Sequence, residues 1–295
     1  MAPNADPRLS RFQPLARILA FDDFDDGYNG WCGLIPNHDG SLDRLRPVMA
    51  DLRPPQISNC TFFDIGTHGS VDGTYALKLA TRAKPFSTST AIKRLTYQKP
   101  GLVQLETWFT YKAEQTFEAS RFDGNAAPSE QKFGDFTISN DICEGERGIR
   151  YHCAIRYANT DRQGKLVQTW QHKTSVHTTT KMHEQGLTQQ TEDYHVLAAG
   201  DWKEIPGGRQ PLCFNETATK INWHYLRWLF NTRERRNELF QVNDLTLDLR
   251  GIPVPMYDHE YRGLNHLLNF VFDVRTLAAV RNFLFLDSVL ISVDW

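Results

Sequence analysis

The sequence lacks several features that would assign it to a class at once. No apolar run approaches the roughly 20 residues that a membrane-spanning helix requires. Its 33 lysines and arginines are balanced by 35 aspartates and glutamates, for a net charge of -2, so it has no positive excess to bind a nucleic-acid backbone. We therefore expect neither a membrane nor a nucleic acid as a partner, and the sequence does not predict an oligomeric state.

Signals for secretion and for cysteine chemistry are also missing. Residues 1–7 are polar and show no basic patch followed by an apolar segment, which predicts a cytoplasmic location. The five cysteines are scattered and form no C-x-x-C pair, so neither a disulfide framework nor a zinc knuckle is expected. Cys153 lies among apolar residues and is expected to be a small buried side chain.

Long helical periodicity is scarce, and short segments of alternating apolar and polar residues take its place. Short helical connectors are expected only at residues 42–50 and 276–282. The clearest predicted strands are Val103 to Tyr111, Phe136 to Asn140, Ile149 to Tyr157, Leu166 to His172, Ile221 to Phe230, Leu268 to Val274 and Phe283 to Val293.

The turn residues between these segments favour short antiparallel strands. We find no internal repeat and no break in composition that would mark a second domain. The sequence therefore predicts an all-β fold, a two-sheet antiparallel β-sandwich of the jelly-roll type with short connecting helices. Residues 1–15 are expected to be an N-terminal tail and residues 16–295 a single domain.

The strand from Ile149 to Tyr157 is the most informative segment. Alternation places Arg150, His152 and Arg156 on one face and apolar residues on the other. Fixed positive charge beside an imidazole is an unusual lining for a strand that needs only solubility, so this face is expected to bind a ligand.

Other predicted strands also have a polar face that includes an aromatic ring or an imidazole. Tryptophan stacks on the apolar faces of sugar rings, while amides and guanidinium groups bond to hydroxyls, so the combined face favours a carbohydrate ligand. The predicted catalytic residues are His152, Arg150 and His172, and the predicted substrate-binding residues are Glu106, Trp108, Arg156, Gln168, Trp170 and His224.

This set of side chains favours one reaction over another. Arginine binds the carboxylate of a uronate sugar, which acidifies the adjacent C–H and allows β-elimination if a histidine acts as the base. Hydrolysis requires two carboxyl groups across the glycosidic bond, and only Glu106 lies on the predicted face. The alternative is that the polar face is simply solvated, that the tryptophans belong to the core, and that no ligand binds.

Motifs along the chain resemble the concanavalin A-like and laminin G-like jelly rolls, many of which bind or cleave carbohydrates. They are the acidic opening at residues 21–31, the strand at residues 73–79 after a glycine turn, and residues 223–228 together with the closing residues 285–293. The E-x-D-x-x-E strand of the glucanase branch and the paired strand motifs of the alginate lyase branch are absent. The resemblance therefore supports the fold more than a reaction.

That resemblance also implies a metal site. In related folds a calcium ion joins the terminal strands and is structural, and here Asp22, Asp23, Asp25 and Asp287 would supply its oxygen ligands. The alternative is a hydrated turn, which suits aspartate and glycine equally well. No organic cofactor is expected.

Three functions follow from these observations. The first is a carbohydrate-active protein with lyase-type acid/base chemistry on the concave face of the jelly roll, or else a glycoside hydrolase. The second is a carbohydrate-binding protein without catalysis. The third is a structural or interaction module, in which the polar face is exposed to solvent and binds no ligand.

Overall fold

The structure is a computed structural model of residues 1–295. It describes residues 7–33, 52–58, 70–97, 99–114, 129–144, 149–174, 201–215, 221–258 and 266–295. These residues form two large sheets. All strand pairs are antiparallel in the described part except one short parallel pair at an edge.

Sheet A has eight strands. In spatial order they are β14 (Leu245–Asp248), β13 (Arg236–Val242), β12 (His224–Asn231), β7 (Leu102–Ala113), β17 (Asn282–Val293), β5 (Ala76–Ala80) and β4 (Gln56–Ser58), and β1 (Arg17–Asp22) pairs with β17 beside this path. The first and last described strands of the chain are thus neighbours.

Sheet B has nine strands. In spatial order they are β11 (Trp202–Arg209), β10 (Leu166–Lys173), β9 (Ile149–Thr160), β8 (Asp135–Glu144), β16 (Leu267–Arg275), β6 (Thr88–Thr96) and β2 (Trp31–Cys32), while β15 (Met256–Asp258) pairs with β9 and β3 (Leu52–Arg53) with β6.

The two sheets pack face to face through one apolar core. Phe109 of β7 contacts Phe136 of β8, with ring centroids 5.1 Å apart. Trp170 of β10 contacts Phe240 of β13 edge to face at 4.8 Å. Because side chains alternate along a strand, every second residue of each sheet points away from this core, onto an outer face.

The all-β, two-sheet antiparallel sandwich that the sequence predicts is confirmed, and each predicted strand overlaps an observed one. Cys153 is buried as expected. The helix predicted at residues 276–282 is wrong: the chain bends there and enters β17 at Asn282. The predicted helix at residues 42–50 lies outside the described residues.

Helical structure is limited to short 3-10 turns such as Pro7–Arg11 and Ser129–Lys132 in the described part. No helix among the described residues is both long and apolar enough to cross a membrane. The division into a tail and a single domain stays a prediction. Of the expected tail, residues 7–15 are described, and Gln13 within them is hydrogen-bonded to sheet A.

Candidate functional site on the outer face of sheet B

The outer face of sheet B has a row of small or apolar side chains across its centre. Ala154 of β9 lies opposite Ser139 of β8, Ser139 lies opposite Val271 of β16, and Val271 lies opposite Ile92 of β6. Longer polar side chains flank this row on both sides, two residues away along each strand. We call this row the trough. The two flanks are separated by four residues along each strand, which is about 13 Å.

One flank, the Arg156 row, consists of Gln171, Arg156, Thr137, Asp273 and Thr90 in register across five strands. Arg156 donates hydrogen bonds from Nε, at 3.0 Å, and from Nη2 to the side-chain oxygen of Gln171. The Arg156 guanidinium also lies 4.5 Å from the centre of the Trp202 ring. Burial lowers the pKa of Arg156 to about 10, which leaves it charged at neutral pH.

The acidic part of this flank is unusually dry. Asp273 is 3% exposed and accepts a hydrogen bond of 2.5 Å from the Thr90 hydroxyl. Its burial, and to a smaller degree the charge of Asp135, raise its pKa to about 7, although Thr90, Lys173 and Arg275 act in the opposite direction. A carboxyl group in this position holds its proton near neutral pH.

Asp135 lies in the next row along the strands, opposite Arg275. Its Oδ2 accepts hydrogen bonds from Arg275 Nη2 at 2.6 Å and from Arg275 Nε at 3.2 Å. Its Oδ1 is buried and has no hydrogen-bond partner. Asp135 is therefore paired through one oxygen only.

The opposite flank, the His152 row, consists of His152, Asp141, Asn269 and Arg94 in register. Next to it on β9, Arg150 forms a bidentate ion pair with Asp141, at 2.6 Å and 2.5 Å. His152 Nε2 lies 3.6 Å from Asp141 Oδ1. Asp141 thus holds an arginine and faces a histidine at the edge of the trough.

Both flanks contain buried polar atoms without a partner. Thr137 is 1% exposed and Asn269 4% exposed, yet Thr137 Oγ1 and Asn269 Oδ1 make no hydrogen bond in the structure. Buried polar atoms are nearly always hydrogen-bonded, and an exception calls for a bound water or ligand. One such atom lies on each side of the trough.

The structure places Arg150, His152 and Arg156 on one outer face, as the sequence predicts. The prediction that Trp170 and His172 share that face is wrong. Both point to the core, because β10 pairs Trp170 with Tyr157 and His172 with Ile155, which are inner residues of β9. Burial lowers the pKa of His172.

Gln168 does not join the face as predicted either. It has a positive φ of 53° where the pairing of β10 with β9 shifts register. Its amide donates to Glu130 Oε1 at 2.8 Å.

The remaining predicted sugar-binding residues belong to sheet A, so the prediction of one common face is wrong for them as well. His224 points into the core, bonded to Cys213 O and to Asn243 at 3.0 Å each. Glu106 and Trp108 lie on the outer face of sheet A, on the far side of the sandwich. The sugar-binding roles of these residues stay predictions.

Glu106 has a structural environment instead. It is 0% exposed. Its Oε1 accepts from the Gln13 backbone N–H at 2.8 Å and from the Tyr225 hydroxyl at 2.5 Å, while Oε2 accepts from Gln104 at 2.8 Å. This carboxylate fixes the segment before β1 to sheet A.

Several residues of the outer face were missed from the sequence. Thr137 and Asp273 alternate with core residues inside predicted strands, while Asp135 and Asp141 lie one residue beyond the two ends of the predicted strand Phe136 to Asn140, so the same alternation, extended by one residue, was the signal. The prediction that Glu106 is the only carboxylate on the face is wrong, because Asp135, Asp141 and Asp273 lie there. The sequence shows no comparable alternation that would have pointed to Trp202 or Lys173.

The expected calcium ligands are engaged with different partners. The terminal strands do pair, with Asp22 opposite Val289. However, Asp22 binds Lys93 at 2.9 Å, and Asp25 accepts from the backbone of Thr74 at 2.7 Å. Asp23 binds Arg8, and Asp287 accepts from the backbone of Val71, Asp72 and Ser288.

Within the described ranges, no three acidic, histidine or cysteine side chains are grouped so as to hold a metal. The four aspartates therefore do not form a common site in this arrangement. Calcium binding stays a prediction, which melting curves with calcium and with chelator would test.

A family model described as a domain of unknown function, DUF6772, matches residues 1–295. The chain belongs to the DUF6772 family. No curated protein matches it in sequence.

Solved structures of similar shape include endo-acting O-glycanases of the human gut microbiota, at 12% identity, with 94% of this chain and 99% of that chain covered and a TM-score of 0.42. Another is the alginate lyase AlyC3 in complex with dimannuronate, at 13% identity, 74% coverage of each chain and a TM-score of 0.33. A third is a legume lectin-like domain from Entamoeba histolytica, at 9% identity, with 80% and 88% covered and a TM-score of 0.36. The ligands named for those structures are properties of those proteins. The architecture of this chain is established by its own strand pairing.

Proposed function

We propose that this protein binds a carbohydrate in the trough on the outer face of sheet B. The observation that supports it best is the pair of unsatisfied buried oxygens, Thr137 Oγ1 on one flank and Asn269 Oδ1 on the other. A polyhydroxylated ligand lying across the trough would supply hydrogen bonds to both flanks at once.

The charges around the trough favour a sugar over a phosphate-rich ligand. Positive and negative side chains alternate across this face, as in Arg150 beside Asp141 and Arg275 beside Asp135. A polyanion is instead bound by a field of one sign. Amide, hydroxyl and paired ionic groups can both donate hydrogen bonds to sugar hydroxyls and accept hydrogen bonds from them.

Lyase-type chemistry, with His152 as the base, also remains a proposal. Arg150 was expected to neutralise a uronate carboxylate, but it already holds Asp141 in a bidentate pair, so a uronate would have to compete with Asp141. His172 points to the core, away from such a substrate. Binding without catalysis, and a structural module, are the alternative functions.

Calorimetric titration tests binding with neutral cello-, xylo-, laminari- and chito-oligosaccharides and with mannuronate and galacturonate oligosaccharides. At least one class is expected to bind. Asn269→Ala and Arg156→Ala should each weaken it at least tenfold, or about 1.4 kcal/mol, while Arg250→Ala, at an exposed arginine in the turn after β14, changes nothing. Melting curves confirm that each variant is folded. Absence of binding to every sugar, or unchanged affinity in both trough variants, would refute the proposal.

A further inference from the structure

Phe86 lies in the turn between β5 and β6 and has a backbone conformation that phenylalanine rarely adopts. Its φ is 68°. The Ser87 N–H donates to Lys84 O at 3.0 Å, so Pro85 and Phe86 are the two central residues of a tight turn. A proline followed by a residue with positive φ is the pattern of a type II turn, whose third position favours glycine. A bulky side chain at that position strains the backbone.

Burial of the ring does not offset this strain. Phe86 is 56% exposed, the highest value for a large apolar side chain in the described part of the chain. Its backbone is nevertheless held in place, because the Phe86 N–H donates to Thr276 O at 2.8 Å and the Arg82 N–H donates to Ser87 Oγ at 3.0 Å. Strained residues are concentrated at ligand sites and active sites. The exposed ring therefore indicates a binding role.

Positive charges surround this ring. The Arg162 guanidinium, in the turn between β9 and β10, lies 5.5 Å from the centre of the Phe86 ring. Arg82 and Lys165 belong to the same two turns and are exposed, as Arg162 is. Within the described ranges, none of these three cations forms an ion pair. We call Phe86, Arg82, Arg162 and Lys165 the Phe86 patch.

The turn between β9 and β10 contributes one carboxylate, which is used inside the turn. Asp161 Oδ1 accepts from the backbone N–H groups of Gln163 and Lys165, at 2.9 Å each. The Gly164 N–H donates to Asp161 O at 3.1 Å. Both turns are thus closed by their own hydrogen bonds, and the ring and the cations are held without a ligand. Such preorganisation lowers the entropy cost of binding.

We infer that the Phe86 patch is a binding site for an acidic polysaccharide, whose acidic groups are carboxylates or sulfates. The apolar face of a sugar ring stacks on Phe86, and an acidic group of that sugar accepts hydrogen bonds from Arg162 beside the ring. Arg82 and Lys165 attract further acidic groups of the polymer. The site goes beyond the proposed function, because Phe86 lies before β6 begins and is therefore outside the trough.

An acidic polysaccharide fits the patch better than a membrane surface. The apolar part of the patch is a single ring, which offers little area for insertion into a bilayer. Insertion would also take the Arg162 guanidinium, which lies against that ring, out of water. A sugar ring with an acidic group instead uses the aromatic ring and the cation together.

Calorimetric titration with polygalacturonate, which carries carboxylates, and with dextran sulfate, which carries sulfates, tests the site. At least one of these polymers is expected to bind, more weakly as salt is raised, while neutral dextran does not bind. Phe86→Gly and Arg162→Gln should each weaken the binding about tenfold. The Tm of Phe86→Gly should equal or exceed that of wild type, because glycine adopts a positive φ without strain.

Two surface variants are matched controls. Tyr28→Ala removes another exposed aromatic ring, and Arg233→Gln removes an exposed arginine in the turn between β12 and β13. Both should keep the affinity of wild type. Asn269→Ala, in the trough, should keep it as well, so failure of the trough proposal and failure of this inference give different results.

Several results would overturn the inference. They are absence of binding to both acidic polymers, equal binding of neutral dextran, unchanged affinity in Phe86→Gly or Arg162→Gln, and a lower Tm in Phe86→Gly, which would give the ring a structural role. Tighter binding to poly(dT), or to phosphatidylcholine vesicles with about one-third phosphatidylserine, would assign the patch to a different partner. Loss of polymer binding in Asn269→Ala alone would assign the polymer to the trough.

Discussion

Arg156 and Gln171 face each other across strands β9 and β10, and the guanidinium donates through both Nε and Nη2 to one amide oxygen of Gln171. Trp202 covers the guanidinium at 4.5 Å. Arg156 is thereby fixed in one orientation within its row. A ligand in the trough would meet a cation that needs little further ordering.

Replacing Gln171 tests this orientation. Gln171→Ala removes the acceptor but keeps the charge of Arg156, so sugar affinity is expected to fall about tenfold through lost preorganisation. Calorimetry measures the change. Gln241→Ala, a half-buried glutamine of sheet A, is the matched control, and an equal loss in both variants would show that the effect is not specific to the trough.

Asp273 makes stability depend on pH in a defined direction. Its pKa is raised from the ordinary 3.8 to about 7 by burial, so between these values the folded state binds more protons than the unfolded state. The free energy of unfolding then falls as pH rises through this window. Asp273→Asn does not titrate, and its stability relative to wild type should rise by on the order of 3 kcal/mol from pH 4 to pH 7.

Urea denaturation at a series of pH values measures this difference. Asp248→Asn is the control, because its hydrogen bond to Arg250 lowers the pKa of Asp248 to about 2, below the window. Its stability relative to wild type should stay level between pH 4 and pH 7. A level difference for Asp273→Asn too would mean that Asp273 is ionised in the folded protein.

Glu106 is expected to contribute to stability and not to sugar binding. Glu106→Ala removes the acceptor of the Gln13 backbone N–H and of the Tyr225 hydroxyl, while the Gln104 amide keeps its bond to Gln13 O, and this should cost about 2–3 kcal/mol in urea denaturation. Tyr225→Phe removes a single donor and should cost less. Sugar affinity, measured where both variants are folded, should equal that of wild type, and a parallel loss of affinity would return Glu106 to the site.

Trp170 is expected to behave as a core residue. Its ring is 0% exposed, packs on Phe240, and donates from Nε1 to Gln210 at 2.8 Å. Trp170→Ala should lower the free energy of unfolding by about 3–5 kcal/mol. Trp108 is half-buried on the outer face of sheet A, so Trp108→Ala should lower the free energy of unfolding clearly less. A similar loss in both variants would contradict the core position of Trp170.

Alternation in the sequence was enough to find the strands and the face of β9. Alternation does not show which face of β10 points to the core. Trp170 and His172 form one set and the residues between them the other, and only the pairing of Trp170 with Tyr157 and of His172 with Ile155 decides which set is the inner one. The register shift at Gln168 further hides the pattern. Alternation in the sequence thus predicts a ligand-facing position for Trp170, which belongs to the core.

Assignment of strands to sheets was equally beyond the sequence. Glu106 and Trp108 alternate as predicted, yet β7 lies in sheet A and β9 in sheet B, so their outer faces are opposite sides of the protein. The carboxyl groups of Asp135 and Asp273 become neighbours only because β8 and β16 pair, although they are far apart in sequence. Local patterns carry no information on such pairing.

β17 is the last described strand in the sequence but lies in the interior of sheet A, where it pairs with β7, β5 and β1. On the ribosome, these earlier strands must therefore wait for residues 282–293 before they can be joined. Their apolar faces and unpaired edges remain exposed during synthesis, which makes the nascent chain prone to aggregation. Such long-range pairing also slows folding, so we expect refolding from denaturant on the scale of milliseconds to seconds or longer.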